Sequence, residues 1–122
     1  LTDPLDNEAE HLQLDQINSL ITAAGVDGTR EIMDAFWRST TDLLAALTTQ
    51  LNDNAYDLAA GTAHAIKGSA ANVGAMRLAQ TASLVEDACK SGAGDDAGRL
   101  LTSAHADFEA VRSHFDDHLA NA

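Results

Sequence analysis

The chain is poor in the residues that break helices, cross-link loops or bind polyanions. It has a single proline, Pro4, outside any plausible core element, and aromatics make up only 4% of its 122 residues. One cysteine, Cys89, excludes an intrachain disulfide and a cysteine metal cluster, and leaves a small core residue as its expected role. Basic residues are scarce, seven against nineteen acidic, for a net charge of −12. Such a surface repels phosphate backbones and anionic lipid, so nucleic acid and membrane are not expected partners. Solubility is the first reading of the acidity and docking onto basic partners the second. The acidic start, Leu1 to Glu10, lacks a basic-then-apolar pattern, and no apolar run reaches the ~20 residues of a membrane span. The expected compartment is the cytoplasm.

What is present favours helix. Alanine and leucine abound, hydrophobic residues make up 45%, and no stretch of useful length alternates with period two. Residues 1–11 read as a flexible lead-in and 12–122 as one helical domain, without internal repeat or low-complexity tract. Asp15 is the expected N-cap of a short helix carrying Ile17, Leu20, Ile21 and Ala24, which Gly25 stops. Ile32, Phe36, Thr40, Leu43, Leu47 and Leu51, widened by Met33, Trp37 and Leu44, predict a long amphipathic helix. Asn52-Asp53-Asn54 ends it, and Asn54 is the expected cap of a helix running to Val73, with Gly74 as its left-handed terminator. Met76 to Lys90 forms the next, with Leu78, Ala82, Val85 and Cys89 inward. After a Gly-rich connection capped by Asp95 comes the last, with Leu101, Ala104, Phe108, Val111, Phe115 and Leu119 inward. The predicted fold is all-α: an antiparallel up-down four-helix bundle preceded by a short N-terminal helix.

The third of these helices carries the chemistry. His64, Lys67 and Gly68 stand at i, i+3 and i+4, on one helical face, with Ala60, Ala71 and Ala75 on nearly the same azimuth. Ala59, Ile66, Ala70 and Val73, with Ala63 at the edge, lie roughly opposite, so this face turns outward. A neutral imidazole, with a free pKa near 6.5, is a nucleophile at pH 7 without prior activation. A phosphoryl group placed on it brings close to two negative charges, and its transfer is largely positioning plus electrostatic stabilisation. A nearby cation, Lys67, is the expected helper, and Gly68, which costs about 1 kcal/mol against alanine in a helix, leaves the ring reachable.

The run His64-Ala65-Ile66-Lys67-Gly68-Ser69-Ala70-Ala71-Asn72-Val73-Gly74 resembles the signature of histidine-containing phosphotransfer (HPt) domains: His, any residue, an apolar residue, Lys, Gly, two small residues, two variable ones, an apolar residue and Gly. Leu14-Asp15-Gln16-Ile17 and Leu84-Val85-Glu86 extend the resemblance over nearly the whole chain. It implies a helical bundle in which His64 accepts a phosphoryl group from a receiver-domain aspartate and passes it to another, with Lys67 as the adjacent charge and Gly68 as clearance. It also implies that Glu86, at the position where the family often has Gln or Glu, holds the non-reacting ring nitrogen. The implied partners are response-regulator receiver domains and a hybrid histidine kinase. The implied Mg²⁺ is the receiver's, the chain having no cofactor of its own and no ATP-binding kinase motif.

Two other functions remain open in the sequence. One is a helical binding module that blocks a receiver or kinase without carrying phosphate, although such a module needs no nucleophile. The other is a phosphoacceptor domain cut from a larger hybrid kinase, which the absence of an initiator methionine allows. The expected state is a monomer. His114 and His118, at i and i+4, could share a metal but read as solvent-facing residues, and the Gly92–Gly98 stretch follows no strand, so it is not a nucleotide loop.

Overall fold

The computed structural model describes residues 11–120, and residues 1–10 of the expected lead-in lie outside them. His11, the last residue of that lead-in, is buried. Among the described residues the regular elements are four helices: α1 (Leu14–Asn52), α2 (Tyr56–Asn72), α3 (Met76–Lys90) and α4 (Gly94–Ala120). Each packs on the next in the chain, and α1 also meets α4. Gly25 interrupts α1 with φ 76° and ψ 173°, a conformation that residues with a Cβ rarely adopt.

The helix ends differ from their expected caps. Gln13, not Asp15, is the N-cap of α1, and Asp15 lies inside the first turn, where its charge complements the exposed N–H groups. Ala55 rather than Asn54 caps α2; Asn54 takes φ 55° in the turn and accepts a hydrogen bond from the Tyr56 hydroxyl at 3.1 Å. Asp95 likewise sits within the first turn of α4. Gly74, at φ 82°, ends α2 as expected.

Two kinds of seam hold the bundle. Between α1 and α4, Trp37 meets Phe108 and Phe115 edge-on at centroid distances of 5.8 and 5.9 Å, and Phe36 meets Phe108 at 6.3 Å. These rings are buried, as are Met33, Leu44, Leu47 and Val111. The inward line of α1 is therefore Met33, Phe36, Trp37, Thr40, Leu44 and Leu47; Ile32, expected on that stripe, is 40% exposed at its rim. Between α2 and α3 the seam is alanine-rich. The buried residues of α2 are Ala59, Ala60, Ala63, Ile66 and Ala70, and those of α3 include Ala79, Ala82 and Ala88. With methyl groups at the contact, α2 and α3 approach more extensively than any other pair.

The start of α1 grips the far end of α2. The Gln13 N–H donates to the Gly74 carbonyl at 2.8 Å, and the Gln16 amide donates to the carbonyls of Ala71 and Asn72 at 3.0 and 2.6 Å. These carbonyls lie at the end of α2 and in the turn after it, where the Ala71 and Gly74 oxygens also accept from the Gly74 and Met76 N–H groups at 3.2 and 3.0 Å. A Cβ at Gly74 would stand 3.3 Å from the Gln13 carbonyl oxygen, so the close approach also favours glycine there.

Candidate functional site

The rotation of α2 about its axis is fixed by what it buries. Ala59, Ala63, Ile66 and Ala70 are completely enclosed, and this turns His64 outward, with 67% of its side chain exposed. Lys67, one turn on, is half-buried and has no hydrogen-bond or ion-pair partner among the described residues. Gly68 is exposed, and a Cβ built on it would meet nothing within 4 Å. The same holds for Gly61, one turn before His64. Neither glycine is required by packing within the chain, although each weakens the helix by about 1 kcal/mol relative to alanine. The low-relief track around the histidine is therefore Gly61, Ala65, Gly68 and Ala71, all exposed. Ala60 and Ala75, expected on that track, are buried at 8% and 0%. Ala60 lies on the side of α2 that faces α3, and Ala75 lies in the turn beyond the helix, where azimuth on α2 no longer applies.

The narrow seam between α2 and α3 brings Glu86 to His64. Nδ1 of the ring lies 3.3 Å from Oε1 and 3.2 Å from Oε2 of Glu86. Glu86 is itself buried, at 8%. In the tautomer that carries its proton on Nδ1, the ring donates to this carboxylate and presents the lone pair of Nε2 for reaction. Lys90, one turn further along α3, places Nζ 3.0 Å from the same Oε2. The Lys90 ammonium chiefly, and His64 to a lesser degree, hold the Glu86 carboxyl below its usual range against the opposing effect of burial. Glu86 in turn raises the Lys90 ammonium above its ordinary value. Asp57, Ala60, Gly61, His64, Glu86 and Lys90 line one shallow depression of about 430 Å³.

The structure thus joins His64 to Glu86 directly and leaves Lys67 and Gly68 beside them on the histidine's own helix. Lys90 and Gly61 join the site although neither is among the sequence-based candidates. Both carried a readable signal: Lys90 is four residues after Glu86, and Gly61 three before His64.

The remaining candidates do not converge. His114 stacks on His11 at a centroid distance of 5.4 Å, while His118 Nε2 lies 3.0 Å from Asn18 Oδ1. Both are half-buried rather than solvent-facing, and they engage different neighbours. No group of three or more His, Cys, Asp or Glu side chains is placed to hold a metal among the described residues. Cys89 is buried, and its thiol is pushed up by that burial, which suppresses thiolate chemistry. Asp107, buried between α3 and α4, accepts a hydrogen bond from the Thr81 hydroxyl at 2.5 Å, a contact internal to the bundle.

Comparison with known proteins converges on one family. The model of the Hpt domain matches residues 31–116. The fold is similar to that of histidine-containing phosphotransfer protein B from Pseudomonas aeruginosa, with a TM-score of 0.85 and 25% identity over 93% of this chain and 98% of that one. It is also similar to a rice protein provisionally described as a histidine-containing phosphotransfer protein, with a TM-score of 0.76 and 22% identity over 87% of this chain and 78% of that one. No curated protein matches the sequence at a significant level.

Proposed function

The chain belongs to the Hpt domain family, and from that premise we propose that His64 is the residue on which it carries phosphate. It is a histidine phosphotransfer protein of the phosphorelay type, a carrier that works with response-regulator receiver domains. The observation that carries the assignment of His64 is its double environment: a ring two-thirds exposed whose inner nitrogen is 3.2–3.3 Å from both oxygens of a buried carboxylate.

The chemistry follows from that arrangement. A receiver brings its aspartyl phosphate to the exposed face. The Nε2 lone pair attacks phosphorus, the bond to the aspartate oxygen breaks, and the carboxylate leaves with the electron pair. Nδ1 keeps its proton, so the phosphorylated ring is cationic, and the Glu86 carboxylate faces that charge. The reverse sequence delivers the group to another receiver. Lys67 offers a cation to the equatorial oxygens, and Gly68, with Gly61 on the other side, leaves room for the partner's surface. The Mg²⁺ of such transfers is assigned to the receiver's acidic pocket. The protein is in this reading a stoichiometric intermediate and not a kinase, fed by a hybrid histidine kinase.

The finer architecture belongs to the same proposal. Residues 12–122 form one domain, an antiparallel up-and-down bundle with a short leading helix before Gly25. What supports this is the length of the connections, 53–55, 73–75 and 91–93, each three residues. Three residues span about 10 Å, too little to return along a 17-residue helix roughly 25 Å long for a parallel neighbour. No described helix is long and apolar enough to cross a membrane. A monomer in the cytoplasm is the setting that fits a carrier moving between receivers.

The test is direct. Incubated with a phosphorylated receiver, the protein acquires label that is acid-labile and base-stable, as a phosphoramidate is, and His64→Gln abolishes it while helicity stays unchanged. Label persisting in His64→Gln would move the site elsewhere. Tight receiver binding with no label on the native protein would establish the blocking module instead.

A further inference from the structure

We propose that Lys90 is a positioning residue that meters the charge Glu86 presents to His64, and thereby sets the acid side of the pH range in which His64 accepts phosphate. This rests on the reading of His64 as the phosphoacceptor.

The geometry is a shared carboxylate. The His64 Nδ1 pairs with Oε1 of Glu86 at 3.3 Å and lies 3.2 Å from Oε2, on which the Lys90 Nζ sits at 3.0 Å, so ring and ammonium draw on one carboxylate charge. The carboxylate is buried while both its partners reach solvent, their side chains 67% and 65% exposed. The chain has only two lysines, and both stand beside His64: Lys67 on its own helix and Lys90 across the seam. No other ion pair of Lys90 competes with this one among the described residues.

The chemistry explains why such metering matters. Only the neutral ring has a lone pair on Nε2. An uncompensated carboxylate at Nδ1 favours the imidazolium, whose Nε2 is occupied by a proton. The same carboxylate stabilises the cationic ring once the phosphoryl group has arrived. Attack forms the Nε2–P bond and breaks the P–O bond to the donor aspartate, whose carboxylate takes the electron pair, while the Nδ1 proton stays in place. Lys90 draws part of the Glu86 charge to itself, which weakens the carboxylate's hold on a proton at the ring while leaving it facing the product. The other charged groups at the site are Asp57 and Lys67 on α2 and Asp87 on α3, the last acting on Lys90. Neither α1 nor α4 contributes a residue to the depression.

Two readouts on the full chain test this: the NMR titration of the unphosphorylated His64 ring, and the rate of acceptance from a phosphorylated receiver between pH 5.5 and 8.5, where imidazole charge changes. Lys90→Met is expected to move the ring titration to higher pH and to slow acceptance about two- to threefold on the acid limb, the scale of an exposed ion pair. The rate at the alkaline plateau should not fall, because the carboxylate freed of Lys90 faces the cationic product ring with more of its charge. Lys90→Arg should restore both, Glu86→Gln should move the titration the other way, and Lys90→Met added to Glu86→Gln should have little further effect. An unmoved titration in Lys90→Met overturns the proposal. So does a loss of rate equal at every pH, which would make Lys90 a docking contact. If the native protein takes no label at all, the phosphoacceptor reading fails, and the NMR arm still decides whether Lys90 acts on the ring through Glu86.

Discussion

The two seams of the bundle divide its work. Between α1 and α4 the contact is made by large rings, Trp37, Phe36, Phe108 and Phe115, which bury much area and hold the backbones apart. Between α2 and α3 it is made largely by alanines, which bury little per residue and let the helices close up. Dispersion and hydrophobic burial scale with the atoms enclosed, so each residue of the aromatic seam contributes more stability than an alanine of the other. Reach scales with proximity, so the alanine seam is where a glutamate on one helix can hold a histidine on the next. Stability and reactivity are therefore separable by mutation.

The largest expected effect on stability is at the aromatic seam. Trp37→Ala should destabilise by about 3–5 kcal/mol, as truncation of a buried ring does. The transfer rate per folded molecule should hold, measured at a temperature where the variant remains folded. A slowed transfer there would break the division. Next is Ala82→Leu, four residues before Glu86 and 1% exposed. Overpacking this seam should cost about 1–3 kcal/mol and push α3 away from α2. Here the transfer rate should fall to that of Glu86→Ala, and the His64 ring titration should lose its dependence on Glu86; retention of both would show that the close approach is not what joins them. The smallest effect has the opposite sign. Gly61→Ala and Gly68→Ala should each stabilise the helix by up to ~1 kcal/mol in urea unfolding, because the added methyl meets nothing within 4 Å. Receiver binding should weaken at the same time, since the clearance those glycines leave is external.

Much of this is legible in the sequence. His64, Lys67 and Gly68 share a helix, so the 3.6-residue repeat alone places them together. Glu86 needed more, namely a turn of known length and a partner helix close enough to matter, and the resemblance supplied the position while the alanines supplied the reach. The role of Lys90 is not legible in the sequence, because an i,i+4 partner of Glu86 becomes informative only once Glu86 is known to be buried. The caps were not legible for a different reason. Gln13, Ala55 and Ala75 make no side-chain capping bond, so there is no side-chain signature to read. The placing of Ile32 is ambiguous in the sequence because either Ile32 or Met33 satisfies the spacing of α1. The choice belongs to tertiary packing, which encloses Met33 and leaves Ile32 at the rim.

The hold that Gln13 and Gln16 take on the end of α2 has a consequence for how the protein may be divided. The stretch matching the family model begins at residue 31, yet residues 13 and 16 supply the hydrogen bonds that clasp the end of the histidine's helix from outside. A chain trimmed to the recognisable portion would keep every residue of the reactive cluster and lose the clasp on the helix that displays it. The family model, by this measure, marks out a shorter piece of polypeptide than mechanical integrity requires.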